Sequence, residues 1–444
     1  MSYSYEEVIE KIENARRFGN LPGVEVTGEA LKHPMFQNWN IPYIHVAGTN
    51  GKGSTCAFLN SIFQKAGMKT GMFTSPHLIC FEERIMVNGV YIAKEDVTRL
   101  GNLLLTTDFG VSLTMFDYCL LMAVLYFAEQ KVEIAIMETG LGGRLDSTNA
   151  LGTPVAAVLT KIGFDHTDIL GDTLEKIAVE KAGIIKENSL VISEMQEEEV
   201  VKVFQEAAKE KKAKELIFVT PEDIELVRSF KPHMQGEYQY ENGAAALVCA
   251  KAVAELMSEV PAEVASEAIP SEISAQVATG AFPVAISEGI RTASWQGRME
   301  LLSEKPFFMV DGAHNGHGVH ALCESLKKLY PGEKFHFCMG VMADKDYLIM
   351  IKELLPIAID FVTVTPESNR ALQAEELAAQ IREAGVVARC LSESEMNMGD
   401  RPRLSACFSH LDQEHKTIAF GSLYFIGELK AAWLKEKESN GLYI

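Results

Sequence analysis

Short apolar runs and segments with helical periodicity alternate along the chain. Residues 41–46 form an apolar, β-rich run, a glycine-rich stretch at 48–53 interrupts it, and residues 56–66 then carry apolar side chains at helical spacing. Gly67 marks the expected end of that helix. Because a strand, a glycine turn and a helix in this order open a parallel α/β unit, the pattern predicts an α/β fold with a parallel sheet.

The alternation continues in two series. In the first, strands are predicted at 134–137, 155–159 and 190–193, with helices at 116–130, 174–184 and 244–257. In the second, which begins near residue 295, strands are predicted at 307–310, 335–339, 361–364 and 417–420. Between them, residues 258–283 hold three prolines and no steady periodicity, which predicts a mobile insertion or linker. We therefore predict two domains, residues 1–290 and a smaller Rossmann-like α/β domain at 291–444.

Composition narrows the classes of partner. The 444-residue chain carries 41 Lys and Arg against 61 Asp and Glu, a formal net charge of −20. Such an acidic surface repels nucleic acid and anionic membranes, so a phosphate ligand would have to be held by a local device. The longest apolar stretch, 119–128, is about half of the ~20 residues that a membrane-spanning helix needs. We expect neither nucleic acid nor membrane as a partner.

The cysteines and the first residues indicate the compartment. Eight cysteines are scattered without a C-x-x-C pair, a usage typical of a reducing compartment. The first 19 residues predict a polar helix and lack the basic and apolar regions of a secretion signal. A cytoplasmic protein is the expectation.

The strongest local motif is a glycine-rich loop between the first predicted strand and helix. Its glycines let successive backbone N–H groups point at phosphate oxygens, the helix N-terminus adds positive potential, and Lys52 reaches the terminal phosphates. Only two residues separate Gly48 from Gly51, and Gly53 occupies the position where a common P-loop has a hydroxyl. Ser54 or Thr55 must then supply a hydroxyl for Mg²⁺, and the sequence leaves the choice open. The predicted nucleotide-binding residues are Gly48, Thr49, Asn50, Gly51, Lys52, Gly53, Ser54 and Thr55.

A metal-holding acid is expected at the end of a neighbouring strand. Glu138 closes the apolar run 134–137 and precedes the glycine-rich stretch 139–143, where other groups can approach closely. Polar clusters at 73–78 and 164–168 are further candidates for the same site. His166, taken alone, is more typical of a structural histidine than of a ligand.

At these residues the sequence resembles the folylpolyglutamate synthases and bifunctional dihydrofolate synthases of the Mur ligase superfamily. The motifs of the first half occur in that family's order: GTNGKGST, FTSPHL, METGLGGRLDSTN, FDHTDILG and EKAGIIK. The second half continues with GRMEL, VDGAHN and GSLY. The resemblance implies a monomeric P-loop ligase that uses ATP and Mg²⁺ to add L-glutamate to folates through an acyl phosphate, and to dihydropteroate as well.

The resemblance also implies roles for individual residues. Lys181 matches a lysine that is carbamylated in relatives, the alternative being an unmodified lysine paired with phosphate or an acid. Tyr238 stands where the family usually has a histidine. The implied metal ligands are Ser75, Glu138 and His166, and the implied catalytic residues are Lys52, Glu138, His166, Lys181, Asp311 and His314. The implied nucleotide contacts beyond the loop are Asn242, Arg298 and Asp311.

The folate side is implied less directly. Its matching positions are Arg84, Phe116, Asp117, Leu145, Asp146 and Ser147, and Phe116 is equally compatible with core packing at the start of an apolar helix. Two other functions remain open from the sequence: a superfamily ligase acting on a different carboxylate, and a non-catalytic ATP-binding regulatory module. The ligase motifs GRMEL, DGAHN and EKAG argue against the latter, since a regulatory module would not need them.

Overall fold

The chain forms two compact units. The structure, a computed structural model, describes residues 2–15, 22–259, 280–396, 402–411 and 413–439. The first unit comprises Met1–His233 and Gln239–Ser294, and the second comprises Met234–Tyr238 and Trp295–Ile444. Most of the insertion predicted at 258–283 lies outside the described residues, but its last two residues begin a helix at Phe282.

An eight-stranded sheet organises the first unit, in the order β4-β3-β2-β5-β1-β6-β7-β8. Strands β2, β5, β1, β6, β7 and β8 are parallel, and β3 and β4 add an antiparallel hairpin at one edge. The strands are β1 Tyr43–Ala47, β2 Thr70–Phe73, β3 Ile85–Val87, β4 Val90–Tyr91, β5 Ile134–Glu138, β6 Ala156–Leu159, β7 Leu190–Ser193 and β8 Glu215–Phe218.

Helices cover this sheet. They are α1 Tyr5–Glu13, α2 Gly23–Ala30, α3 Lys52–Lys65, α4 Lys94–Thr106, α5 Met115–Glu129, α6 Thr167–Leu170, α7 Leu174–Ala182, α8 Glu198–Lys211, α9 Pro221–Ser229, α10 Glu237–Glu259 and α11 Phe282–Thr292. Helix α5 is apolar on nearly all sides and ten of its residues are buried, which places it at the centre of a large core cluster. A second cluster packs α7 and α8 against β6 and β7.

The second unit is built on a six-stranded sheet in the order β13-β12-β11-β14-β10-β9, in which only β9 is antiparallel to its neighbour. Its strands are β9 Glu300–Glu304, β10 Phe307–Val310, β11 Phe335–Met339, β12 Ala358–Thr363, β13 Val387–Cys390 and β14 Lys416–Phe420. Its helices are α12 Gly316–Leu329, α13 Tyr347–Leu354, α14 Ala374–Glu383, α15 Glu393–Met396 and α16 Leu423–Ser439. Rings of Phe337, Phe361 and Phe420 pack together in its core.

The α/β fold with two mostly parallel sheets confirms the predicted class. Every predicted strand is present, with ends that differ by up to a few residues. None of the eight cysteines forms a disulfide bond, and six are buried. Among the described residues no helix is long and apolar enough to cross a membrane.

The order of the first sheet determines where polar residues gather. Strands β2, β5, β1 and β6 are consecutive neighbours and run parallel, so their carboxyl ends meet at one edge. The phosphate loop follows β1, Glu138 ends β5, Ser75 follows β2 and His166 follows β6. Such an edge is where open α/β sheets bind ligands.

Candidate active site

The phosphate loop is shaped by two close approaches that exclude side chains. Gly51 has a φ of 91°, in the left-handed region that favours glycine, and it caps α3. A Cβ on Gly51 would overlap Asn242 Oδ1, and one on Gly48 would overlap Thr160 Oγ1. Asn242 is buried, and its amide nitrogen donates to Gln239 Oε1 at 3.0 Å. The structure therefore brings Asn242 to the loop, although nearly two hundred residues separate them in sequence.

Two lysines converge on one carbonyl of this loop. Lys52 Nζ donates to Gly48 O at 3.1 Å and to Thr49 O at 3.3 Å, and Lys181 Nζ donates to the same Gly48 O at 2.8 Å. Lys181 is only 4% exposed. Burial, and then the Lys52 charge, lower the pKa of Lys181 to about 7, against weaker opposing effects of Asp165 and Asp146.

Two buried hydroxyls stand at the first turn of α3. Ser54 Oγ and Thr55 Oγ1 are buried and have no hydrogen-bond partner within the part of the chain that the structure describes. Buried hydroxyls are normally paired, so an unpaired couple at a helix N-terminus fits a ligand that supplies oxygen atoms or a cation. The choice between Ser54 and Thr55 stays open, since both share this environment.

Glu138 and Ser75 are brought together. The Ser75 backbone N–H donates to Glu138 Oε2 at 3.0 Å, and the Glu138 side chain is buried. His166 lies in the exposed loop after β6 with a φ of 50°, and its Nε2 is 3.9 Å from Asp165 Oδ1. No cluster of three or more His, Cys, Asp or Glu among the described residues is arranged to hold a metal. A cation at this edge would need hydroxyl, water or phosphate oxygens besides Glu138, which is the coordination that Mg²⁺ prefers.

Asp117 is saturated by donors of the protein itself. Its Oδ1 accepts from Thr27 Oγ1 at 2.8 Å and from Ser147 Oγ at 2.6 Å. Its Oδ2 accepts from the Thr114 backbone N–H at 2.8 Å and from Thr114 Oγ1 at 2.7 Å. This carboxylate therefore caps α5 and joins it to α2 and the turn at Ser147, while contact of Asp117 or Ser147 with a substrate stays a prediction.

Asp146 has a similar arrangement under the glycine-rich turn. Its Oδ2 accepts from the Gly140 and Leu141 N–H groups at 3.0 and 2.8 Å, and its Oδ1 accepts from the Thr148 N–H at 3.0 Å. Burial raises the pKa of Asp146, and these hydrogen bonds oppose the rise. Thr148 Oγ1 also lies 2.7 Å from His45 Nε2, a buried histidine whose pKa burial lowers to about 3. The sequence does not indicate a functional role for His45, because a single histidine between apolar residues on a strand is typical of a core position.

The remaining folate-side residues differ in exposure. Arg84 is buried, and its Nε donates to His77 Nδ1 at 2.9 Å. Burial and the Arg84 charge lower the pKa of His77 to about 4. Phe116 is partly buried against the core cluster with its ring 5.6 Å from that of Phe73, which agrees with the packing alternative, whereas Leu145 is 42% exposed.

In the second unit, Asp311 organises the turn after β10. Its Oδ2 accepts from Tyr238 Oη and from the Met299 N–H, both at 2.8 Å, and its Oδ1 accepts from the Ala313 N–H at 2.8 Å. Tyr238, the position that departs from the family pattern, therefore contacts one of the predicted site residues directly. The departure is visible in the sequence, but the partner of Tyr238 is not, because the two residues are 73 positions apart.

Arg298 and His314 border the same turn. A Cβ on Gly312 would overlap Arg298 Nη1, so only glycine lets the guanidinium lie there. His314 Nδ1 is 2.8 Å from Gly312 O. The structure thus groups Arg298, Asp311 and His314 in the second unit, and groups Lys52, Lys181 and Asn242 in the first.

Comparisons with known proteins agree with this architecture. Residues 46–250 match the model of the Mur ligase middle domain, and residues 297–404 match that of the Mur ligase glutamate ligase domain. The chain is 35% identical over 405 residues to a dihydrofolate synthase/folylpolyglutamate synthase of Bacillus subtilis, spanning 85% of this chain and 89% of that one.

Two solved structures are similar throughout. Escherichia coli FolC in complex with DHPP and ADP has a TM-score of 0.78 at 25% identity, over 98% of this chain and 99% of that one. A bifunctional folylpolyglutamate synthase/dihydrofolate synthase with Mn, AMPPNP and L-glutamate bound has a TM-score of 0.76 at 25% identity, over 97% and 98%.

Removing the Tyr238 hydroxyl should loosen the Asp311 turn. We expect Tyr238→Phe to destabilise the second unit by about 1.5 kcal/mol or more, the usual contribution of a hydrogen bond to a charged group. Thermal unfolding measures the loss. Tyr240→Phe is the control, because the Tyr240 ring rather than its hydroxyl contacts Arg228. Equal unfolding midpoints for Tyr238→Phe and the unmodified chain would contradict the assigned hydrogen bond.

Proposed function

Because the chain belongs to the family of folylpolyglutamate synthases and dihydrofolate synthases, we propose that it joins L-glutamate to folates with hydrolysis of ATP to ADP and phosphate, and to dihydropteroate in the same way. The observation that carries the proposal is the phosphate loop, where Lys52 and Lys181 share the Gly48 carbonyl beside two buried hydroxyls that have no partner among the described residues. In the proposed reaction the folate carboxylate takes up the terminal phosphoryl group, and the amine of glutamate then displaces phosphate to form the amide.

The loop residues 48–55 would bind the phosphates of ATP. Phosphoryl transfer depends mainly on position and on neutralised charge, which backbone N–H groups and an ammonium group supply. Lys52 Nζ now donates to carbonyls of its own loop, so it is held within reach of any phosphate that the loop binds. Asn242 would complete the nucleotide contacts of the first domain.

A divalent cation fits the carboxyl edge of the first sheet. We assign Ser75, Glu138 and His166 as its ligands, with Ser54 or Thr55 as the hydroxyl of the loop. Bound there, Mg²⁺ would neutralise charge on the phosphate oxygens. The buried Glu138 carboxylate supports the assignment because it is held by the Ser75 N–H, which fixes both residues at one place. Manganese in a similar structure supports a divalent ion.

We propose domain roles that follow the family models. Residues 1–290 would form the ATP-binding domain and residues 291–444 the glutamate-ligase domain, in line with the matches at 46–250 and 297–404. Arg298, Asp311 and His314 would contact the nucleotide or the reacting groups. Asp311 supports such a role because, within the described part of the chain, its Oδ1 accepts only the Ala313 N–H and retains acceptor capacity.

The folate would be held by residues near α5 and the glycine-rich turn. Arg84 is the cationic candidate for a carboxylate, and Phe116 and Leu145 offer apolar surface. Asp117, Asp146 and Ser147 would act by holding the backbone of this region in place. We further propose that the enzyme is a cytoplasmic monomer that acts on small molecules, without nucleic acid or membrane as a partner.

Release of ADP with candidate acceptors tests the function most directly. The full chain is incubated with ATP and Mg²⁺ and with dihydropteroate, dihydrofolate or tetrahydrofolate, each with and without L-glutamate. We expect ADP release that requires both substrates, and a product heavier by one glutamyl residue in mass spectrometry. Release with another carboxylate alone would favour a different ligase, and nucleotide binding without any turnover would favour a regulatory module.

Substitution of the two charged groups at the sheet edge should nearly abolish turnover. We expect Lys52→Ala and Glu138→Gln each to lower kcat by about 10²–10³, as for the loss of a group that stabilises charge in the transition state. Glutamate-dependent ADP release measures the effect. Lys65→Ala, at the far end of α3, is the matched control. If either variant kept the activity and the melting temperature of the unmodified chain, the assignment of the phosphate loop would be contradicted.

Lys181 should act as a carbamate. Carbon dioxide adds to a neutral amine with loss of one proton, and a pKa near 7 leaves a large neutral fraction at physiological pH. Below that pKa the ammonium form prevails, so carbamylation should fall as the pH drops. We expect Lys181→Ala to lose most activity, acetate to restore part of it, and removal of bicarbonate to slow the unmodified enzyme.

The control for this test lies on the same helix. Lys176 is exposed and pairs with Asp172 at 2.7 Å, so Lys176→Ala should retain full activity and show no response to acetate. Full activity of Lys181→Ala, or indifference of both proteins to bicarbonate and acetate, would leave Lys181 as an unmodified lysine.

A further inference from the structure

The phosphate loop is fastened to the segment that follows β6. The backbone N–H groups of Thr49 and Asn50 donate to Lys161 O at 3.0 and 3.4 Å. In the opposite direction, Thr160 Oγ1 donates to Asn50 O at 2.6 Å. The position of the loop at Thr49 and Asn50 therefore depends on where the 160–161 peptide lies.

That peptide is held in turn from the end of β7. The Lys161 N–H donates to Glu194 Oε2 at 2.8 Å, and Lys161 Nζ donates to Met195 O at 2.8 Å. Gln196 adds two bonds, accepting from the Ile162 N–H at 3.1 Å and donating to Thr160 O at 3.1 Å. The backbone N–H of Lys161 is thus held by Glu194, and its carbonyl accepts from the loop. These two backbone groups connect the end of β7 to the phosphate loop.

Glu194 is an unusual residue for such a contact. It is 1% exposed, and its second oxygen, Oε1, has no hydrogen-bond partner among the residues that the structure describes. Burial, and then the charge of Glu241, raise the pKa of Glu194 to about 8, while the Lys161 N–H and the Lys161 charge oppose the rise. Glu241 precedes Asn242, whose side chain borders Gly51, so charge in this region is close to the nucleotide loop.

We propose that Glu194 is a positioning residue for the phosphate loop, acting through the Lys161 peptide on the Thr49 and Asn50 amides. The role rests on the proposed function, because the position of the loop matters only if the loop binds phosphate. Glu194 itself has no contact with the substrate in this account. The neutral form of Glu194 holds the Lys161 N–H without adding a charge. The ionised form places a second carboxylate beside Glu241, and this negative charge opposes the binding of a polyphosphate at the loop.

A pair of substitutions separates the hydrogen bond from the charge. Glu194→Gln keeps an oxygen that accepts from the Lys161 N–H and carries no titrating proton. Glu194→Ala removes the acceptor and leaves that N–H unpaired. Glu199→Gln, on the exposed face of α8, is the matched control.

Calorimetric titration of the full chain with ADP and Mg²⁺ measures the effect. Near pH 7 we expect the dissociation constant to rise about tenfold in Glu194→Ala and to stay within about twofold in Glu194→Gln, as for one lost backbone hydrogen bond. In turnover assays the KM for ATP should rise in Glu194→Ala while the KM for glutamate is unchanged. From about pH 7 to about pH 9, ADP binding should weaken more in the unmodified chain than in Glu194→Gln.

The outcomes are distinguishable. Equal ADP binding by Glu194→Ala and the unmodified chain overturns the positioning role, as does a Glu194→Gln variant as weak as Glu194→Ala. If Glu194→Ala does not fold, the pH comparison between Glu194→Gln and the unmodified chain decides, and parallel pH profiles overturn the role. An unmodified chain that binds no ADP overturns the proposed function and the positioning role with it.

Discussion

The carbonyl of Gly48 is the point on which the candidate site depends. Lys52 and Lys181 both donate to it, and Lys181 comes from a helix more than a hundred residues further along the chain. Burial of Lys181 disfavours its charged form, the Lys52 ammonium beside it adds to the effect, and together they lower the pKa of Lys181. The fold therefore places an amine of lowered pKa beside the phosphate loop without any unusual residue type.

Buried carboxyl groups maintain the surroundings of that point. Asp117, Asp146 and Asp311 each accept several hydrogen bonds in turns near strand or helix ends, and Glu194 accepts one, from the Lys161 N–H. A carboxylate with several donors is stable in a low-dielectric interior, and a loop fastened to it has few alternative positions. These four buried carboxyl groups thus fix the loops that they contact.

The fold class was predictable because strand and helix periods are local properties. Strands 307–310 and 335–339 were predicted with the bounds that the structure has. The hairpin of β3 and β4 was not predicted, since strands of three and two residues are too short to show a period. The start of α10 was placed seven residues late, because polar residues at its beginning hide the helical pattern.

The site was predictable only in part. Motifs identified the loop, Glu138 and Lys181, since each motif is contiguous in sequence. The partners of these residues were not predictable, because they depend on strand order: Thr160 and Lys161 reach the loop only because β6 lies next to β1. The contacts of Tyr238 and Glu194 were not predictable for the same reason, as their partners are 73 and 33 positions away.

Transfer of oxygen from folate to phosphate tests the central claim most directly. A folate whose side-chain carboxylates carry ¹⁸O is incubated with the enzyme, ATP, Mg²⁺ and L-glutamate, and the released phosphate is analysed by mass spectrometry. Formation of an acyl phosphate predicts that one labelled oxygen enters phosphate for each glutamate added. Phosphate that contains no label, while glutamate is still added, would contradict the account.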